Sequence, residues 1–328
     1  MATETLAPAA PRNLSEGGVP PGRISDRVFR VITLAAGLLV LVILGLIVVE
    51  TAGQARSWLS AEGLGTIFSS NWDPAHHHFG ALALIVGTLE VAFLALLIAV
   101  PVSVGLALFV TEVAPRPLRR YFVYAIDLLA AVPSVVFGLW AIHVLLQPLA
   151  DVYSSISSAT AGIPLLDTLF GSPSRSGQAV MTAGIVVGIM ITPIVTAITR
   201  EVFATCPASQ KEAALALGAT RWEMIRGSIF PHSRSGVVSA VMIGFGRAVG
   251  ETIAVALVVG SNQRLSAHLF GTGDTMASII VNEFGDATGT WRSALIGLGL
   301  VLLLLTVVIG IVARSVLGRA ERRLGVVT

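Results

Sequence analysis

The sequence predicts an all-α integral membrane protein of six transmembrane helices with both termini in the cytoplasm. Three observations lead there: a very apolar composition, long apolar runs, and basic residues that gather beside alternate ends of those runs. Hydrophobic residues make up 54% of the 328 positions and charged residues only 12%, with a mean hydropathy of +0.84. That leaves too little polar surface to cover a soluble fold of this length. Cys206 is the single cysteine, which excludes an internal disulfide, and its expected role is that of a small buried residue. Lys211 is the single lysine and follows Gln210, so the Gly-Lys pair of a phosphate-binding P-loop is missing and ATP is not bound by that route.

Residues 1–28 are rich in Pro, Gly and Ala and carry Arg12, Arg23 and Arg27. A disordered cytoplasmic tail is expected there, ahead of a membrane domain at 29–328. The first span is placed at 31–49, a continuous apolar run able to cross a hydrocarbon core of about 30 Å. Gly53 and Ala55 imitate a signal-peptidase site, but the run exceeds a signal peptide's apolar stretch of about 7–15 residues, so the span is read as retained. The loop 50–80 carries His76, His77 and His78, which lack spaced carboxylate or cysteine partners and read as solvated. The second span is placed at 81–110, apolar apart from Glu90 and a few hydroxyl residues, and kinked at Pro101.

The third span is placed at 121–146, with Asp127 near its start and Pro133 inside it. A Ser-, Thr-, Gly- and Pro-rich loop follows at 147–178, with some amphipathic structure around 163–170. The fourth span, 179–199, holds Pro193 and ends at Arg200 and Glu201, which read as interfacial. The fifth is placed at 237–260 and the sixth at 294–312.

Cytoplasmic loops retain basic residues, so counting them orients the chain. On one side lie Arg12, Arg23, Arg27, Arg30, Arg116, Arg119, Arg120, Arg200, Lys211, Arg221, Arg226, Arg234, Arg314, Arg319, Arg322 and Arg323. On the other lie only Arg56, Arg175, Arg264 and Arg292. The crowded side is the cytoplasm, and it includes both termini.

The segment 209–231 reads as a helical hairpin. Ser209 with Glu212 and Thr220 with Glu223 both have the spacing of a capping box. Gly218 between them suits the left-handed residue that closes a helix. The second helix is expected to run until Pro231, with Trp222, Ile225 and Ile229 on one apolar face and Arg221 and Arg226 on the polar one. In the fifth span, Arg247 is placed too deep to reach an interface easily, and Glu251 lies four residues later. Two compatible readings stand: an ion pair within one helix, or a polar route for an anion. Glu90 and Asp127 are either helix-end residues or partners for Arg247. Gly246 and Gly250, with Gly244 just before, have the spacing of a close helix contact.

Glu212, Ala213, Ala214, Gly218 and Pro231 resemble the EAA motif of ABC-importer permeases, the cytoplasmic hairpin that docks into an ATPase subunit. Ser228 and Phe230 depart from it, since the family usually has an aliphatic residue and Leu there. Two further segments, AVPSVVFGLW at 131–140 and GFGRAVGETIAV at 244–255, are similar to the third and fifth spans of the permeases of phosphate-specific (Pst) importers. The Glu-Thr-Ile-Ala-Val ending of the segment at 244–255 resembles the PstC subunit more than PstA. The resemblance covers residues from about 87 to the C-terminus and implies the MetI-like ABC-importer permease fold in a bacterial cell membrane. It further implies a PstA-like second permease, two PstB-like ATPase subunits, an extracytoplasmic PstS-like phosphate-binding protein, and phosphate as substrate. Arg247 and Glu251 match charged positions associated with the substrate path, while Glu212, Ala213, Ala214 and Gly218 match the ATPase-coupling positions. No catalytic residue, metal or cofactor is implied for this chain, and no nucleic acid.

Three other functions compete with this one. The first is a similar permease for another oxyanion, such as molybdate or sulfate, or for an uncharged solute. A secondary transporter or channel would leave the hairpin incidental. An intramembrane aspartyl protease is suggested only by the GxGD form of 271–274, and Asp274 is expected in a turn of a polar outer loop.

Overall fold

The computed structural model describes residues 22–323. The expected tail therefore lies outside the described residues as far as residue 21, and residues 22–28 begin a helix. The chain divides into two units, Met1–Glu50 and Thr51–Thr328. Helix α1 (Gly22–Glu62) carries the first apolar run, whose side chains from Val31 to Val49 are almost all exposed. An exposed surface of this length with Thr33 as its one polar side chain, bonded back to the Phe29 carbonyl, suits lipid rather than water.

Within the second unit, a two-residue antiparallel pair, β1 (Trp72–Asp73) and β2 (His78–Phe79), sets Trp72 opposite Phe79. The three histidines sit at its exposed tip, where the Asp73 carboxylate accepts the N–H of Ala75 and of His76. Among the described residues no cluster of His, Cys, Asp or Glu could hold a metal ion. Helix α2 (Leu82–Leu108) follows, with Pro101 inside it, and ends in a wide π-turn at Phe109–Val113.

The third span differs from expectation. Helix α3 (Arg116–Ala130) is separate and amphipathic, and the chain breaks before α4 (Ser134–Trp140), a π-turn at Ala141–Leu145 and α5 (Leu146–Thr160). The apolar crossing is Ser134–Thr160, shifted towards the C-terminus from the expected 121–146. Pro133 is the cause: it has no N–H to donate and disfavours helix at the residue before it, so it starts α4 rather than kinking a helix already under way. Asp127 consequently lies exposed on α3, outside the crossing. Much of the expected loop 147–178 is helix: α5 runs on to Thr160, and α6 (Pro164–Phe170) lies where amphipathic structure was expected.

Helix α7 (Val180–Ala204) is the most buried of the crossings and packs along α2. Small residues permit this: a Cβ on Gly184 would stand 2.6 Å from Leu94 Cβ, and one on Gly188 3.1 Å from the Ala95 carbonyl. After α8 (Ala208–Ala216) and α9 (Arg221–Met224), a π-turn at Ile225–Ile229 leads straight into α10 (Phe230–Val249). Pro231 therefore does not end the second hairpin helix. Helix α11 (Ile253–Val258) follows a break at residues 250–252, then come α12 (Met276–Glu283) and α13 (Gly289–Arg323).

Five helical segments among the described residues are long and apolar enough to cross a membrane. The expected fifth span is not among them. Polar residues Ser233, Arg234 and Ser235 open α10, Arg247 sits near its end, and the helix stops at Val249 instead of continuing to Gly260. The main apolar core joins α2, α7, α10 and α11 through Val91, Ala95, Val187, Ile191, Ala248 and Val255.

Candidate functional site

Helix α10 presents two unlike faces. Ala240, Gly244 and Ala248 are buried, with a Cβ on Gly244 falling 2.6 Å from Val195 of α7. Ile243, Gly246, Arg247 and Gly250, at spacings of three and four, lie exposed on the other face. Of the three glycines with close-contact spacing, only Gly244 is packed against another helix within this chain; Gly246 has open space beside it.

Arg247 and Glu251 are not held as an ion pair within one helix. Arg247 occupies the last turn of α10, whereas Glu251 lies beyond its end, so the four-residue spacing no longer places them on one face. Glu251 is 8% exposed and turns towards α11, where its carboxylate accepts the Ala254 N–H at 3.4 Å. The break is held by Gly250 N–H to Gly246 C=O at 3.2 Å and by the Thr252 hydroxyl to Gly250 C=O at 3.1 Å. The result is a guanidinium on an uncovered helix face beside a carboxylate that caps the next helix. An exposed, permanently charged guanidinium at the end of α10, with apolar Val241 to Phe245 before it, suits recognition of an oxyanion.

The hairpin carries the second group of candidate residues. Its first helix begins at Ala208, with Pro207 as cap and no side-chain hydrogen bond, so the expected Ser209 box is not formed. Proline at the cap sets the entering backbone direction, and the helix starts two residues too early for Ser209 to cap it. The Thr220 box is formed: Glu223 N–H donates to the Thr220 hydroxyl at 3.3 Å, and Thr220 N–H donates to the Glu223 carboxylate at 2.8 Å. Thr220 N–H and the Thr220 hydroxyl, the latter also at 2.8 Å, both donate to the exposed Glu223 carboxylate and hold it below its ordinary range. Gly218 has φ +84°, and Ala219 N–H reaches Ala214 C=O while Gly218 N–H reaches Leu215 C=O, the paired bonds of a Schellman closure.

Glu212, Ala213 and Gly218 are exposed, and Ala214 packs partly against a cluster of Ala107, Phe203, Cys206, Met224, Ile225 and Ile229. Trp222 does not share the buried face of Ile225 and Ile229 but is 60% exposed, and Leu217 at 90% and Leu215 at 44% are also uncovered. Large apolar side chains so uncovered on a short polar hairpin mark a surface that another protein covers.

Two features escape a reading of the sequence. Lys211 Nζ donates to Glu112 Oε1 at 2.6 Å, joining α8 to the π-turn that ends α2. Asp274 is buried rather than in an exposed turn, with its carboxylate accepting from Ser278 at 2.8 Å and Ser261 at 3.3 Å. Burial raises its pKa to about 6, against the lowering effect of the two serines.

Residues 99–326 match the family described as the inner membrane component of binding-protein-dependent transport systems. The chain is 41% identical to a phosphate transport system permease protein PstC of Xylella fastidiosa (strain 9a5c), covering 98% of this chain and 99% of that one. It is 41% identical to a PstC of Mesorhizobium japonicum (92% of this chain, 93% of that one) and 40% identical to PstC 2 of Mycobacterium tuberculosis (97% and 98%). In fold it is similar to a chain of a bacterial alginate ABC transporter solved with an alginate-bound periplasmic protein. That match has TM-score 0.58 and 17% identity, covering 92% of this chain and 98% of that chain.

Proposed function

This chain belongs to the family of inner membrane components of binding-protein-dependent transport systems, and from that premise we propose that it forms half of the phosphate path of an ATP-driven importer. It is a multi-pass membrane permease subunit, and ATP hydrolysis belongs to separate subunits. The identity of 41% to a phosphate transport permease over 98% of the chain carries the choice of phosphate.

In this reading the uncovered face of α10 meets a second, PstA-like permease, and the path runs between the two. Arg247 offers fixed positive charge where the anion sheds water, and Glu251 keeps the end of α10 and the start of α11 in register through its contact with Ala254. A PstS-like binding protein delivers phosphate from outside. Two PstB-like subunits dock inside, one of them against Glu212, Ala213, Ala214 and the exposed Leu217 and Trp222. The hairpin is continuous in helix from residue 221 to Arg247, so movement of the docked ATPase reaches the path through the backbone.

The test is uptake by the reconstituted complex, comparing phosphate with sulfate and molybdate. Phosphate is expected to be carried in preference to both. Arg247→Gln is expected to lower phosphate uptake at least about ten-fold, equivalent to about 1.4 kcal/mol, while Leu97→Ala, on an exposed apolar surface of α2, leaves it intact. Undiminished uptake in Arg247→Gln would remove the anion role.

A further inference from the structure

We propose that the Lys211–Glu112 ion pair is a second transmission link, a positioning pair that makes α2 follow the coupling hairpin. This role rests on the importer reading above and adds to it a route that does not run through α10.

Helix α8 buries none of its own residues, so its hold on the membrane body is slight. Its apolar anchor is Ala214, packed at the edge of the cluster around Phe203 and Ile229. Among the described residues, the bond from Lys211 to Glu112 is the only side-chain hydrogen bond that leaves α8 for a crossing helix. Both side chains are largely shielded, Lys211 at 21% exposure and Glu112 at 14%. A pair so placed resists separation, because pulling it apart leaves two poorly hydrated charges facing low-dielectric surroundings.

The receiving end is stiff. Glu112 lies in the π-turn closed by Ala114 N–H to Phe109 C=O at 2.7 Å, and the Thr111 carbonyl, which Pro115 cannot engage, is taken by the Arg119 guanidinium. Beside the pair is a groove of about 270 Å³ lined by Val113, Leu215, Arg221, Met224 and Ile225. Packing is thus incomplete next to the pair, which leaves the ion pair and Ala214 as the points through which α8 can push on α2. Since α2 is closely fitted to α7 at Gly184 and Gly188, the push carries both helices. The backbone route meanwhile carries α10, so the hairpin moves the elements around Arg247 together.

The experiment uses the complete complex in proteoliposomes with its binding protein, measuring phosphate uptake and ATP hydrolysis separately and recording how much ATPase subunit co-purifies. Lys211→Glu and Glu112→Lys are each expected to lower phosphate taken up per ATP hydrolysed at least ten-fold, with ATPase co-purification unchanged. The double exchange is expected to recover at least half of the parental ratio, and Lys211→Arg to stay near it. A parental ratio in either single variant, or a double exchange no better than the singles, would overturn the proposal. Should the charge-reversed singles fail to assemble, Lys211→Met combined with Glu112→Gln leaves no unpaired charge and decides the matter: a fallen ratio supports the link, and a parental ratio overturns it. A parental complex that lacks the ATPase or takes up no phosphate would instead overturn the importer reading itself.

Discussion

At the scale of single residues, burial decides what each charge can do. Arg247 remains exposed and can meet a ligand, whereas Glu251, four positions on, is buried and committed to the Ala254 N–H. Asp274 shows the energetic consequence of burial most clearly. Burial, with a smaller push from Glu283, lifts its pKa from 3.8 to about 6. The folded state therefore holds the proton more tightly than the unfolded chain. Stability from this source is fully present below pH 3.8 and is lost as pH rises through about 6. A shift of this size corresponds to roughly 3 kcal/mol as an upper figure. Asp274→Asn keeps the shape without the titration, so the purified variant is expected to gain on the parent by a few degrees in Tm between pH 5 and pH 8. Equal Tm differences at both pH values would show that the carboxyl does not carry this cost.

At the scale of elements, proline placement governs where helices change character. Among the described residues, each of the three π-turns is followed within three residues by a proline: Pro115 after Phe109–Val113, Pro148 after Ala141–Leu145 and Pro231 after Ile225–Ile229. A wider turn accommodates a residue that cannot donate to the carbonyl four positions back. This is why Pro231 continues the hairpin's second helix into α10. Closure of the first helix depends instead on Gly218, whose added Cβ would meet open space, so only its φ of +84° restricts substitution. Gly218→Asn is therefore expected to keep ATPase co-purification near parental, because Asn tolerates the left-handed region, and Gly218→Val to lower it several-fold. The same elements separate what a sequence reveals from what it hides. Thr220, Glu223 and Gly218 are legible because capping and closure are local chemistry. The Arg116–Ala130 helix merges with the next crossing in the sequence, because an apolar run does not reveal that Pro133 begins a helix rather than bending one. The Lys211–Glu112 pair is illegible there, since 99 positions separate its members and only the packing of α8 against the end of α2 joins them.

At the scale of the whole molecule, the distribution of basic residues and the burial of the crossings impose independent demands. Sixteen of the basic residues fall at one set of segment ends, and by the positive-inside tendency these ends, the hairpin among them, are expected to face the cytoplasm. A hairpin that docks an ATPase must lie on that side, so a wrong orientation would remove the coupling role whatever the resemblance of its residues. The single native cysteine, Cys206, is 4% exposed and should stay silent towards a membrane-impermeant thiol reagent. Reporters at exposed positions can then be read one at a time. In intact cells, Ser60→Cys, near the end of α1, is expected to react, and Ser209→Cys, on α8, to react only once the membrane is opened. Labelling of Ser209→Cys in intact cells would turn the hairpin outward and end the coupling assignment. Labelling of Ser60→Cys only after opening would show that the chain between the first two crossings faces the cytoplasm, and that α1 does not deliver it to the outer side.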